Sequence, residues 1–184
     1  RWGRGHETYG EDPYLTGQMG LQFVRGMQGS DKKYLKTVST AKHFAVHSGP
    51  EPLRHNFNAV ISERDLQETY LPAFRTLVTE GGVFSIMGAY NQLHGTPCCA
   101  NTELFSMLRE KWGFKGYFVT DCWALSDFHD FQHYAAGPAE AAAMAIKAGT
   151  DLECGVDFSH LHEALDKGLI GVSDIDRAVK RVMT

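Results

Sequence analysis

The sequence predicts an α/β fold with a parallel sheet, and more narrowly a segment of a (β/α)8 barrel. Short apolar runs rich in β-branched and aromatic residues alternate with longer helical patterns. No hairpin signal is found between the runs. A complete barrel takes about 250 residues, and the chain has 184. We therefore expect one partial barrel domain that spans residues 1–184.

The first helix and the first strand have clear boundaries. Asp12 is a favourable N-cap, and Pro13 suits the first helical position. Large apolar residues then recur at every fourth position, which predicts a helix that ends at Gly29. These residues are Leu15, Met19, Phe23 and Met27. Residues 37–44 form a β-rich run and predict the first strand.

The middle of the chain repeats this alternation. Residues 62–80 begin with a capping-box pattern and predict a helix, which Pro72 should break or restart. Residues 83–87 predict the second strand. A helix over residues 101–113 follows, with an asparagine as its cap and a glycine at its end.

The last third contains the most informative strand. Residues 117–119 are apolar and follow a Gly-Phe-Lys-Gly turn, as expected of a strand buried on both faces. A long loop over residues 122–137 precedes an alanine-rich helix over residues 138–148. Residues 149–155 predict a short strand and a turn. Two further helices follow, one from Ser159 and one over residues 175–183.

Composition excludes several classes of protein. Hydrophobic residues make up 43% of the chain, charged residues 22%, and the net charge is -4, so nothing favours binding to nucleic acid or an anionic membrane. No apolar stretch approaches the roughly 20 residues of a membrane helix. The four cysteines lack the paired spacing of a zinc site, and no cofactor or metal is predicted. A Cys122–Cys154 bridge requires both residues to lie on neighbouring strand ends, which the sequence does not establish.

Reactive and ligand-binding residues follow each predicted strand. They are Lys42 and His43, then Met87, Tyr90 and Asn91, then Asp121, then Glu153 and Cys154, and the opening segment adds Arg4, Glu7, Glu11 and Asp12. Parallel strands bring their carboxyl ends to one rim, which is where barrel enzymes assemble their active sites. The sequence therefore predicts a site in which Asp121 is surrounded by cationic and hydroxyl-bearing side chains.

The chemistry of such a site depends on Asp121. Neighbouring Arg and Lys side chains favour the ionised form, so Asp121 should be a nucleophilic anion at neutral pH. A retaining glycosidase uses such a carboxylate with a second carboxyl group about 5–5.5 Å away. Three other interpretations stay open: Asp121 as a turn residue or helix cap, Lys42 and His43 as a solvated edge, and Lys42 as the nucleophile of a Schiff-base lyase.

Several segments resemble the signature segments of glycoside hydrolase family 3. The opening Trp2 to Pro13 matches the pattern W-G-R-x-x-E-x-x-x-E-D-P. The other matching segments, in the order of the family, are residues 41–44, 62–66, 87–91, 113–121 and 148–155. The resemblance runs over essentially the whole chain.

This resemblance implies a (β/α)8-like catalytic domain that hydrolyses β-glycosides from the non-reducing end with retention. Asp121 would form the glycosyl-enzyme, Arg4, Lys42 and His43 would bind hydroxyls of the terminal sugar, and Met87 and Tyr90 would line its subsite. Substrates would be oligosaccharides or aryl and alkyl glycosides. The resemblance also implies an extracellular or periplasmic protein.

Parts of the family pattern find no match in this chain. Two-domain members take their acid/base glutamate from an α/β domain after the barrel, and their first barrel strands carry an aspartate that grips the sugar. We therefore expect this segment to be inactive alone and to need both parts for a complete site. The alternative from another class is an inactive segment that only binds sugar.

The substrate branch is indicated by Cys122, which follows Asp121 where many β-glucosidases have tryptophan. Together with Cys154 it resembles the β-xylosidase and α-arabinofuranosidase branch, in which the two cysteines can be bridged near C5 of the sugar. Such a bridge would crowd a hydroxymethyl group and favour pentoses. Trp123 departs from the small residue common in xylosidases, so β-glucosidase remains the alternative. The N-acetylglucosaminidase branch is disfavoured because residues 45–50 do not match its Asp-x-His loop.

Overall fold

The structure is a computed structural model that describes residues 4–31 and 33–183; Trp2 and Gly3 of the opening motif lie outside this range. The α-helices are α1 (Pro13–Gln28), α2 (Glu63–Asp65), α3 (Pro72–Thr79), α4 (Thr102–Ser106), α5 (Ser126–Asp130), α6 (Pro138–Ala148), α7 (Leu161–Asp166) and α8 (Val172–Met183). The strands are β1 (Thr40–Phe44), β2 (Asn58–Ala59), β3 (Ser85–Gly88), β4 (Gln92–Leu93), β5 (Thr96–Pro97) and β6 (Tyr117–Val119).

The main sheet is parallel and has the order β1-β3-β6. Ile86 in β3 lies opposite Ala41 in β1 and Phe118 in β6. Beyond β6, Val119 forms a single parallel bridge with Leu152. The three strands of the main sheet thus lie side by side in their order along the chain, with helices between them. The predicted α/β fold with a parallel sheet is confirmed.

The predicted strand over residues 149–155 is reduced to that one bridge. The reason is the side chain of Asp151, whose Oδ2 accepts the amide of Phe118 at 2.9 Å. Phe118 O in turn accepts the amides of both Asp151 and Leu152. Because the Asp151 side chain makes a hydrogen bond that a backbone carbonyl would make in a regular sheet, strand pairing with β6 does not extend along residues 149–155.

The prediction of no hairpin was wrong. β4 and β5 form an antiparallel pair, and β4 also pairs in parallel with β2. The turn consists of His94 and Gly95, which both have positive φ (51° and 83°), as in the tight hairpin turns that match the twist of paired strands. Each strand has only two residues, too few for a periodic pattern, and His-Gly is not the usual Asn-Gly or Asp-Gly signal.

Helix α1 has the predicted limits, and the side chain of Asp12 accepts the amide of Leu15. Its four-residue apolar stripe, however, is exposed: Leu15, Met19, Phe23 and Met27 are each between 42% and 54% accessible. The helix packs against α3 through another face. On that face a Cβ at Gly20 would lie 3.1 Å from the Leu77 side chain, so the small residue permits the close approach of the two helices.

The break predicted at Pro72 is confirmed. A π-helical turn, Leu66–Tyr70, separates α2 from α3, and the Leu71 amide donates to Leu66 O. A similar turn, Met107–Lys111, extends α4. Two details differ from prediction: α5 lies inside the expected loop, and α8 starts at Val172 rather than at residue 175.

A buried carboxylate joins the end of the sheet to two cationic side chains. Asp151, whose side chain is 1% exposed, contacts Arg109 Nη2 at 2.6 Å and Arg181 Nη1 at 3.0 Å. Arg181 belongs to α8, so this cluster fixes the last helix to the segment beside β6. Over residues 4–31 and 33–183, no helix has both the length and the apolar character needed to cross a membrane.

Candidate active site

Asp121 lies just beyond β6, at the carboxyl edge of the parallel sheet. Its Oδ2 lies 3.1 Å from His43 Nε2 and 3.3 Å from Arg4 Nη1. Its Oδ1 accepts the backbone amide of Cys122 at 2.8 Å. The side chain is only 10% exposed. The sequence predicted that residues of the first strand and of the opening segment lie close to Asp121. The structure confirms this for His43 and Arg4.

These contacts decide the ionisation of Asp121. Burial alone would raise the pKa of its carboxyl group. The close contact with His43, the Cys122 amide and the charge of Arg4 act in the opposite direction and outweigh burial, so the pKa falls from 3.8 to about 2. Asp121 is consequently an anion at neutral pH, as the sequence predicted.

Glu7 binds the two basic residues that flank the site. Arg4 holds both oxygens of Glu7, at 2.7 Å and 3.0 Å, and Lys42 Nζ donates to Glu7 Oε2 at 2.7 Å. The hydrogen bonds from Arg4 and Lys42 lower the pKa of Glu7 to about 2. Lys42 thus binds Glu7, and Glu7 binds Arg4, the arginine that contacts Asp121.

Tyr90 and Met87 come from β3 and the segment after it. Tyr90 is 9% exposed, and its hydroxyl donates to the backbone oxygen of Cys122 at 2.7 Å. Burial, together with the charge of Asp121, raises the pKa of Tyr90 to about 12, so its hydroxyl remains protonated. Met87 lies in register with Val119 at the end of β6 and is half-buried.

Cys122 and Cys154 form a disulfide, with their Cα atoms 4.4 Å apart. The Cys154 amide donates to Thr120 Oγ1 at 3.0 Å, and the Trp123 amide donates to Cys154 O at 2.6 Å. The two strand ends are thus joined next to Asp121. Trp123 has φ of 68° and is 55% exposed, an uncommon conformation for a bulky side chain.

Two of the predicted rim carboxylates have structural partners. Asp12 caps α1. Glu153 accepts the backbone amides of Asp157 and Phe158, at 3.0 Å and 2.6 Å. Within residues 4–31 and 33–183, no group of three or more His, Cys, Asp or Glu side chains is arranged to hold a metal ion.

Sequence reasoning missed four polar residues near the site. The His47 ring contacts the His43 ring at a tilt of 57°, with centroids 4.8 Å apart. Burial, then the charge of His43, lowers the pKa of His47 to about 4. Arg54 lines a small cleft together with His47. His55 Nδ1 lies 2.9 Å from Oδ2 of the buried Asp127. His47, Arg54 and His55 lie in loops and Asp127 in the short helix α5, where no periodic pattern marks a residue that turns inward.

The whole chain, residues 1–184, matches the family model described as glycosyl hydrolase family 3 N terminal domain. It is 47% identical over 188 residues to a xylan 1,4-beta-xylosidase of Xylanibacter ruminicola, covering 100% of this chain and 22% of that protein. It is 41% identical to a beta-xylosidase/alpha-L-arabinofuranosidase of Medicago sativa, covering 97% of this chain and 24% of that protein.

Solved structures give the same result. A family 3 exo-beta-xylosidase in complex with a xylobiose aziridine activity-based probe superposes with a TM-score of 0.94 at 36% identity, over 98% of this chain and 24% of that one. A β-glucosidase of Erythrobacter marinus superposes with a TM-score of 0.91 at 33% identity, over 98% and 25% of the two chains. This likeness confirms the partial barrel-like fold. The chain spans about a quarter of the length of these proteins.

Proposed function

The chain belongs to glycosyl hydrolase family 3, and on this basis we propose that the protein containing it is a retaining, exo-acting β-glycosidase of the β-xylosidase type. The observation that carries the proposal is the state of Asp121. It is a nearly buried carboxylate at the carboxyl edge of a parallel sheet, and contacts with His43 and Arg4 keep it ionised.

In the proposed reaction, a carboxylate oxygen of Asp121 attacks the anomeric carbon of the terminal sugar. The glycosidic bond breaks, and the leaving group takes a proton from an acid/base residue. The deprotonated acid/base residue then takes a proton from a water molecule, whose oxygen attacks the anomeric carbon and releases Asp121 as an anion. Two displacements at the same carbon give overall retention. A pKa of about 2 makes Asp121 available as a nucleophile at any physiological pH.

The neighbours of Asp121 supply the groups that would bind the sugar. Arg4, Lys42 and His43 offer hydrogen-bond donors for its hydroxyl groups. Met87 and Tyr90 offer apolar surface and, in Tyr90, a fixed phenol. Glu7 holds Arg4 and Lys42 at a set spacing, so these donors are organised before the sugar arrives, which lowers the entropic cost of binding.

The acid/base residue is proposed to lie outside this chain. Glu7 is too acidic for the role, with a pKa of about 2, Glu153 accepts two backbone amides, and Asp127 is held by His55. Other parts of the protein are also proposed to complete the barrel. The exposed apolar stripe of α1, defined by Leu15, Met19, Phe23 and Met27, supports this, because contiguous exposed apolar surface usually marks a packing interface.

The disulfide supports a pentose as the substrate. Cys122 is the residue after the proposed nucleophile, and its bridge to Cys154 fixes bulk at that side of the site. A pentopyranose lacks the hydroxymethyl group of glucose and needs less room there. The xylosidases among the relatives agree with this preference. β-Glucosidase is the second candidate, favoured by the structural likeness to β-glucosidases.

Turnover by the full-length protein tests the proposal. Nitrophenyl β-xyloside should be hydrolysed with the β-anomer of xylose as the first product by NMR, and faster than nitrophenyl β-glucoside. Asp121→Ala should abolish turnover but leave a folded protein. Unchanged turnover in this variant would refute the assignment. Calorimetric binding of xylose by a wild-type protein without turnover would favour a sugar-binding module.

A further inference from the structure

A second imidazole–carboxylate pair lies beside the site. Both oxygens of Asp127 approach His55 Nδ1, at 3.1 Å and 2.9 Å. Asp127 is 2% exposed and belongs to α5, whereas His55 lies in the segment between β1 and β2. The pair therefore joins the segment that follows the first strand to the segment that follows Asp121.

This pair bears on Tyr90. The ring of His55 contacts the ring of Tyr90 edge-on, with centroids 5.0 Å apart. The hydroxyl of Tyr90 donates to Cys122 O. The backbone oxygen of Tyr90 accepts a hydrogen bond from Gln132 Nε2 at 2.7 Å. Contacts to its ring, its hydroxyl and its backbone thus fix Tyr90 in place. Two of these three contacts are made by Cys122 and Gln132, which lie in the segment after Asp121.

We propose that His55 and Asp127 are positioning residues: the contact between His55 Nδ1 and the Asp127 carboxylate fixes the ring of Tyr90 and, through the Tyr90 hydroxyl, the backbone of Cys122 next to Asp121. This inference rests on the proposed function. Neither residue needs to touch the sugar. Their effect on the reaction comes from the positions of Tyr90, whose side chain lines the site, and of Cys122, whose amide donates to the Asp121 carboxylate.

The pair should respond to pH. Burial raises the pKa of Asp127 to about 6; His55 opposes this rise, and the charges of Asp130 and Asp121 add to it. These three groups face Asp127 from the β1–β2 segment, from α5 itself and from the end of β6. As the pH falls through the pKa of Asp127, the carboxylate takes up a proton, its attraction for His55 weakens, and the hold on Tyr90 loosens.

The test uses the full-length enzyme and nitrophenyl β-xyloside. Asp127→Asn keeps the shape of the side chain and removes its charge, so kcat/KM at pH 7 should fall about tenfold or more, given the sensitivity of catalysis to small displacements. The wild type should lose activity as the pH falls below 6, whereas Asp127→Asn should lack this step. His55→Ala should reproduce both effects.

His129→Ala is the matched control. His129 lies on the same helix and makes a comparable contact, Nε2 to Asp157 Oδ1 at 2.9 Å, away from Tyr90. The His129→Ala variant should keep the wild-type pH profile and nearly the wild-type kcat/KM, because the contact that it removes does not involve Tyr90 or Asp127. An active wild type with unchanged Asp127→Asn kinetics would overturn the inference alone, as would equal losses in Asp127→Asn and His129→Ala. A wild type that hydrolyses no β-glycoside would overturn the proposed function and the inference together.

Discussion

Replacing Asp121 by asparagine should destabilise the folded protein, and the amount follows from its surroundings. Asparagine keeps the shape of the side chain but lacks the negative charge that interacts with Arg4 and His43. The pKa of Asp121 is lowered from 3.8 to about 2, and a tenfold change in acid strength corresponds to about 1.4 kcal/mol. The carboxylate therefore contributes about 2 kcal/mol to the stability of the folded state at neutral pH.

The sign of the pH dependence follows from the same values. Because folding lowers the pKa of Asp121, the contribution is fully present above the ordinary value of 3.8 and is lost as the pH falls through about 2. The difference in unfolding free energy between wild type and Asp121→Asn should be constant from pH 5 to pH 7, on the scale of about 2 kcal/mol. It should shrink below about pH 4.

Urea-induced unfolding of the full-length protein, followed by tryptophan fluorescence, measures this difference. Asp130→Asn is the control, since Asp130 is 57% exposed and pairs only with His129 among the ion pairs of the described residues; it should change stability by less than about 1 kcal/mol. If Asp121→Asn were as stable as wild type or more so at pH 7, the claim that its neighbours keep Asp121 ionised would be wrong.

Three further predictions concern other parts of the structure. Asp151→Ala should lower the free energy of unfolding by about 3–5 kcal/mol, because it leaves the partly buried Arg109 and Arg181 without their shared carboxylate; a loss below about 1 kcal/mol would show that the cluster does not hold α8 to the sheet. Replacing Cys122 and Cys154 by serine should reduce the ratio of kcat/KM for xyloside over glucoside by about tenfold or more, and an unchanged ratio would remove the disulfide from substrate selection. Borohydride reduction with a carbonyl substrate should leave no adduct on Lys42, whose Nζ is bound by Glu7; an adduct found there by mass spectrometry would favour the Schiff-base lyase.

The sequence predicted best those features that depend on neighbours along the chain. The limits of α1 and α6 match, because Asp12, Pro13 and Pro138 start helices and Gly29 and Gly149 end them. The position of the candidate site also followed from the sequence. Alternating helices and strands impose a parallel sheet, and a parallel sheet brings the ends of its strands to one rim.

Features that depend on distant parts of the chain could not be predicted. The period of α1 revealed an apolar stripe but not that the helix would pack through Gly17 and Gly20 instead. The predicted fourth strand is not formed, because the side chain of Asp151 accepts the Phe118 amide, which a backbone carbonyl would accept in a regular sheet. His55 and Asp127 are 72 residues apart in the sequence, and no local pattern specifies a contact between a loop and a helix that are so distant along the chain.

Mechanism-based labelling tests the central claim most directly. The full-length enzyme would be treated with a dinitrophenyl 2-deoxy-2-fluoro-β-xyloside, which slows hydrolysis of the glycosyl-enzyme, and then digested for peptide mass spectrometry. We predict one added fluorosugar on the peptide that contains Asp121, located to that residue by fragmentation. A fluorosugar attached to a different carboxylate would contradict the assignment of Asp121 as the nucleophile.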